Sequence, residues 1–193
     1  MKFTVYNYKG GVGKTRIALN LALTLDFAII TNEIYIPTIK KIIPDNKYIQ
    51  LEKNQALETY PDEIDIIFDF GGGIDQRIIT AIKQSNWVIV PVTNDHDELE
   101  ATINIIQEIE DIKKNIVVVA NRTAQGDLEE IKKAISKHYS YPIFEVKKSK
   151  GLRNITKEGK SIKAMVEEGG LKAHSYKALD QQFDKLINFL KKV

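Results

Sequence analysis

The chain has 193 residues, 43% of them apolar, with 28 Lys/Arg against 26 Asp/Glu and a net charge of +2. That is enough for one domain, residues 1–193, with a sizeable core. The absence of cysteine excludes disulfides, thiol catalysis and cysteine-held metal clusters. No apolar run approaches the roughly 18 residues of a membrane-spanning helix, and Met1-Lys2 leads straight into an apolar stretch where a signal peptide would lie. A soluble, cytoplasmic protein is expected. The charge is unevenly spread: residues 1–110 carry 10 Lys/Arg and 16 Asp/Glu, residues 111–193 carry 18 and 10. Such asymmetry points to a polyanion-facing region in the second half, or to lysine-decorated solvated helices.

In chain order, residues 2–7 read as a strand and 14–25 as an amphipathic helix. Residues 27–31 are apolar and of strand length. Residues 32–60 are mixed, with a short helix punctuated by Pro37 and Pro44 and a short strand at 48–51. Strands follow at 65–70, 87–92, 116–120 and 141–146, and helices near 75–84, 97–113, 127–138 and 173–192. Several strands are continuously apolar and separated by helices. This is the pattern of an α/β fold, a doubly wound and mostly parallel sheet with helices on both faces. Ligands of such sheets sit at the carboxyl ends of the strands.

The first strand and first helix are joined by Lys9-Gly10-Gly11-Val12-Gly13-Lys14-Thr15. Strand, glycine loop and helix in that order make a concavity of backbone N–H groups at a helix N-terminus, which binds phosphate. Lys14 then reaches the β/γ-phosphates, and the Thr15 hydroxyl ligates Mg²⁺. The loop departs from the standard P-loop pattern, because its first glycine position holds Tyr8 and a second lysine, Lys9, opens it. In this it resembles the deviant Walker A motif of the ParA/MinD family of P-loop ATPases. The resemblance implies ATP and Mg²⁺ as ligands and a nucleotide-sandwich homodimer in which Lys9 reaches the partner's phosphates.

Asp69 ends the strand Ile66-Ile67-Phe68-Asp69 and precedes Gly71-Gly72-Gly73, placed as a Walker B aspartate for Mg²⁺. Gly72 or Gly73 can offer a backbone N–H to the γ-phosphate, and Asp75 suits a helix cap. Where the family ends its second strand in Asp-x-Asp, this chain has Thr31-Asn32-Glu33. The resemblance puts Glu33 where the family positions the attacking water, with altered reach that either preserves hydrolysis or slows it; an ordinary loop carboxylate is the alternative. Arg16 replaces the family's second Thr/Ser. It can meet a phosphate oxygen through its backbone N–H or guanidinium, or pair with a carboxylate. Asn121 matches the family's adenine-contacting asparagine, and an amide can both donate to and accept from a purine edge.

Lys147, Lys148, Lys150, Arg153, Lys157, Lys160 and Lys163 share seventeen residues with one acid, Glu158. Such a patch suits salt-sensitive, sequence-independent DNA binding; in the family, small ParA members bind nucleoid DNA near here as ATP dimers. Arg153, Lys157 and Lys160 would share one helix face if the helix continues through Gly159. With no residues before the first strand for a helix-turn-helix, operator binding is not expected. Tyr176, Leu179, Phe183, Leu186, Ile187 and Leu190 form one stripe, which suits packing on the sheet. Asp180 and Asp184 on its polar side argue against the membrane-binding helix of MinD. His96, His138 and His174 are scattered and suggest no metal site. The expected function is a ParA-like ATPase for plasmid or chromosome partitioning, nucleoid-associated, with slow hydrolysis stimulated by a ParB-like centromere-binding adaptor. The alternatives are a MinD-like membrane-associated regulator and a weakly hydrolysing nucleotide switch.

Overall fold

A computed structural model describes residues 1–33, 39 and 42–192. The short helix expected between Pro37 and Pro44 falls mainly outside that set. Among the described residues, seven strands form one sheet in the order β3-β2-β4-β1-β5-β6-β7. They are β1 (Lys2–Tyr6), β2 (Ala28–Thr31), β3 (Tyr48–Gln50), β4 (Ile66–Phe70), β5 (Trp87–Val92), β6 (Ile116–Thr123) and β7 (Ile143–Lys147). Every pairing is parallel. The helices are α1 (Lys14–Leu25), α2 (Gln76–Gln84), α3 (His96–Glu110), α4 (Asp127–Ser136), α5 (Gly151–Glu158), α6 (Ile162–Glu167) and α7 (Gly170–Leu190).

Continuous apolarity in the central strands follows from burial on both faces. Successive side chains alternate between two cores. Phe3, Val5, Ile67, Ile89 and Val117 meet α1, α5, α6 and α7 on one face. Tyr6, Phe68, Val88, Val90 and Val118 meet α2, α3 and α4 on the other. The six-residue stripe of α7 lies wholly in the first core. Peeling that helix away would expose apolar side chains that each contribute roughly 1.5–3 kcal/mol when buried, so its apolar face is committed to the sheet. No described helix is long and apolar enough to cross a membrane.

Three local features differ from the sequence expectation. β6 runs on to Thr123, past the expected end at 120, by way of a bulge between Asn121 and Thr123 with Arg122 at φ 59°. Residues 151–167 form two short helices, Gly151–Glu158 and Ile162–Glu167, rather than one that continues through Gly159. The first ends at Gly159, left-handed at φ 69°, so Lys160 lies beyond it and does not continue the face of Arg153 and Lys157. The second is capped by Ser161, whose hydroxyl accepts from Ala164 N–H at 3.1 Å. It also receives help across the fold, since the buried Asn20 side chain accepts from Ile162 N–H at 2.9 Å. Asp75 caps α2 as expected, accepting from the N–H groups of Arg77 and Ile78.

Candidate nucleotide site

β1 is central, and the register sets Val5 beside Asp69 of β4 and Thr31 of β2 beside the same Asp69. The loop after β1, the end of β4 and the turn after β2 therefore meet at one level of the carboxyl edge. Asn7, fully buried, anchors the loop's entry. Its amide donates to Pro91 O at 2.9 Å and to Thr102 Oγ1 at 3.0 Å, while its oxygen accepts from Lys9 N–H at 3.0 Å. Gly11 and Gly13 hold φ of 88° and 93°, a region that disfavours side chains. At Gly13 a Cβ would also collide with the Asn121 amide. Lys14 is 7% exposed and donates to Lys9 O at 3.0 Å, so its ammonium is folded back over the loop. Burial holds its pKa below the ordinary value, opposed by Asp69 and Glu33.

Asp69 is fully buried, and neither carboxylate oxygen has a hydrogen-bond partner. Burial pushes its pKa up to about 7, and Glu33 adds to the rise. The nearby Thr15 hydroxyl and the Lys14 ammonium work against it, without either closing a bond of ordinary geometry. A buried, orphaned carboxylate opposite a threonine hydroxyl offers the oxygen donors that fit Mg²⁺. Asp69 and Thr15 would hold the ion; the described residues include no group of three or more carboxylate or histidine ligands.

The substituted turn after β2 is built to reach this centre. Glu33 N–H donates to the buried Thr31 hydroxyl at 3.0 Å. The Asn32 side chain clamps Gly71 from both sides, donating to its O at 2.9 Å and accepting from its N–H at 3.0 Å. The Glu33 carboxylate then lies so close to Gly71 that a Cβ there would strike it. On the other flank, the Tyr6 hydroxyl donates to Gly72 O at 2.9 Å, and burial raises its pKa further above the ordinary phenol value. The glycine loop after Asp69 is thus held by Asn32 and Tyr6, neither singled out in the sequence.

Beyond the loop's far end lies a cleft of about 680 Å³ whose lining includes Gly13, Arg16, Asn121, Arg122, Leu152 and Arg153. Asn121 is 1% exposed. Its amide donates to Val12 O at 2.7 Å, tying the loop to β6, and its oxygen is buried without a partner. Arg16 points into the cleft, toward Arg122 and Arg153, and no described carboxylate pairs with it. Of the basic stretch, Lys148 and Lys150 line the same cleft. Lys148, Lys150 and Lys157 also line an adjoining hollow of about 570 Å³. Lys147 lies 3.9 Å from Glu145, Lys160 pairs with Glu168, and Lys163 lies 3.8 Å from Asp184.

No family model matches the chain, and no curated protein matches its sequence. Solved structures do match. A candidate plasmid partition protein from Borrelia burgdorferi, bound to AMPPNP, is 17% identical with a TM-score of 0.67, covering 100% of this chain and 99% of that one. The septum site-determining protein MinD of Pyrococcus horikoshii, complexed with Mg-ADP, is 15% identical with a TM-score of 0.64, covering 100% and 99%. A ParA family ATPase from Chlorobium tepidum is 16% identical with a TM-score of 0.62, covering 94% and 97%. This chain has the ParA/MinD ATPase fold. The ParA/MinD likeness spans the whole described chain, including α5 to α7. The motifs read from the sequence lie at the glycine loop and the strand ends, where backbone geometry restricts side-chain choice. Asn7, Tyr6 and Asn32 flank those motifs and could have been suspected from that adjacency alone. Arg122 carried no signal beyond its place next to Asn121.

Proposed function

We propose that this chain is a ParA-like ATPase that binds Mg-ATP at the Lys9–Thr15 loop, dimerises around it and, as the dimer, holds DNA without sequence preference. The observation that carries the reading is the buried, unpartnered Asp69 facing Thr15 and Lys14 at the carboxyl edge of a parallel sheet. A magnesium ion there supplies charge neutralisation on the transferring phosphoryl group. Lys14 binds the β/γ-phosphates, the loop amides cradle them, and the half-buried Lys9 opens the loop with its backbone pinned by Asn7, leaving its side chain for the partner's nucleotide. Asn121, whose oxygen has no partner, faces the base. Slow turnover, stimulation by a ParB-like adaptor and nucleoid association complete the reading.

Lys9→Ala is expected to bind ATP as a monomer and to lose ATP-dependent dimerisation and DNA binding together. Sedimentation with and without ATP, alongside duplex-DNA binding in low salt, checks it. If ATP fails to raise DNA binding of the parent protein, the partitioning reading falls. If the reading holds, the parent's DNA affinity drops steeply with salt, because Lys148, Lys150, Arg153 and Lys157 are free to meet phosphates.

A weakly hydrolysing switch is favoured by one observation, the Thr31-Asn32-Glu33 turn in the place of the family's aspartates. Its geometry supports retained chemistry, since Glu33 lies against Gly71 and acts electrostatically on both Lys14 and Asp69. Glu33→Gln is expected to cut single-turnover hydrolysis by about 10²-fold without weakening ATP binding. Unchanged turnover would remove Glu33 from the mechanism and leave the switch.

A further inference from the structure

In the free chain the Lys9 peptide is held at both ends. Asn7 Oδ1 accepts from its N–H at 3.0 Å, and the Lys14 ammonium donates to its O at 3.0 Å. The second contact is incompatible with bound nucleotide, because the ammonium that makes it is the group that reaches the β/γ-phosphates. Once the phosphates take Lys14, Asn7 is the side-chain anchor left to the Lys9 peptide among the described residues. What fixes Asn7 then decides how Lys9 is presented. Two acceptors fix it, Pro91 O at 2.9 Å and Thr102 Oγ1 at 3.0 Å. Thr102 is fully buried, on a helix face that otherwise buries Ala101, Ile105, Ile106 and Ile109. Its hydroxyl donates to Glu98 O at 2.6 Å, one helical turn back. A hydroxyl has a single proton, so toward Asn7 it can only accept. Glu98 is itself held, its N–H donating to Asp95 at 3.1 Å and its carboxylate accepting from the Thr93 hydroxyl. This one-way arrangement turns the Asn7 nitrogen to β5 and α3 and its oxygen to the Lys9 N–H. The flipped amide would set its oxygen against two acceptors.

We infer that Thr102 is a positioning residue for ATP-dependent association: acting through Asn7, it keeps the Lys9 peptide set for the partner's nucleotide after Lys14 has moved to the phosphates. The inference rests on the proposed dimer and specifies how the site keeps Lys9 in place as nucleotide binds. Lys14 is the anchor that nucleotide removes, and the Asn7–Thr102 pair, which touches no phosphate-binding group other than the loop backbone, is the anchor that stays. Thr102 therefore matters to association and not to nucleotide affinity.

Two substitutions separate hydroxyl from packing: Thr102→Val keeps the outline and loses the acceptor, and Thr102→Ser keeps the acceptor and loses a methyl group. Each is compared with the parent by sedimentation over a range of protein concentrations with a non-hydrolysable ATP analogue. Affinity for the same analogue is titrated at concentrations where the chain is monomeric. Thr102→Val should dimerise about tenfold more weakly, the worth of one buried hydrogen bond, and bind the analogue within about twofold of the parent. Thr102→Ser should dimerise like the parent. Asn7→Ala, which removes the same anchor from the other end, should reproduce the valine pattern and serves if Thr102→Val folds poorly. Parent-like dimerisation of Thr102→Val, or of Asn7→Ala in its place, overturns the inference and leaves the proposed function standing. So does a serine variant as weak as the valine one, which would make Thr102 a packing residue, or a loss of analogue affinity equal to the loss of association. A parent protein that binds the analogue and stays monomeric overturns the inference together with the proposed dimer.

Discussion

Asp69→Asn is expected to stabilise the free protein at pH 8 while abolishing its stabilisation by Mg-nucleotide. In the folded chain the Asp69 pKa is raised from 3.8 to about 7 by burial. A carboxyl group with a raised folded-state pKa contributes stability that is fully present below pH 3.8 and is lost as pH rises through about 7. Above that window the protein carries a buried charge with no hydrogen-bond partner, at a cost of at most about 4 kcal/mol by the size of the shift. The amide keeps the shape and removes the charge, so the variant should melt higher than the parent at pH 8 and converge with it near pH 4. Added Mg-ADP should then raise the parent's melting temperature and leave the variant's almost unmoved. Melting curves across that pH range, with and without ligand, decide it. A variant that is less stable than the parent at every pH would show that the carboxylate is a packing element rather than a reserved metal ligand.

Lys14→Ala is expected to lower ATP affinity by about 10²- to 10⁴-fold, since it deletes charged hydrogen bonds to two phosphates at roughly 1.5–3 kcal/mol each. The free protein should change in a second way. The Lys14 ammonium is among the few groups that hold the Asp69 pKa down, and its bond to Lys9 O closes the loop over itself. Without it, Asp69 should titrate at still higher pH, and the stability lost between pH 4 and pH 8 should shift upward. Titration calorimetry with ATP reads the first effect and the pH dependence of melting reads the second. Retained affinity would mean that the loop amides alone hold the phosphates. The contrast with Lys9→Ala is informative: one lysine is 7% exposed and turned inward, the other half-buried with only its backbone committed. Their losses should therefore separate into nucleotide affinity and association.

Apolar run-lengths along the chain determined the architecture by themselves, because a parallel sheet buried on two faces permits little else. The glycine loop was legible for a related reason: positive φ at Gly11 and Gly13 and a phosphate-sized concavity restrict the sequence at those places. Asp69 was legible as a charge where the strand pattern expects an apolar residue, and the α7 stripe as six apolar residues on one helical face. Tertiary structure alone decided how these parts engage one another. Asn7 secures the loop through partners 84 and 95 residues away, and Asn32 and Tyr6 hold the loop after Asp69 across 39 and 66 residues. Polar contacts of that span leave no periodic trace. The surroundings of Arg16, which had three readings open from sequence, are set only when the bulge at Arg122 and the first residues of α5 are folded against α1. Gly159 closes a helix whose continuation would have carried Lys160. Local sequence expresses what the backbone must do within one element. The side chains that complete a site are chosen by what the sheet brings beside it, and only the folded chain contains that neighbourhood.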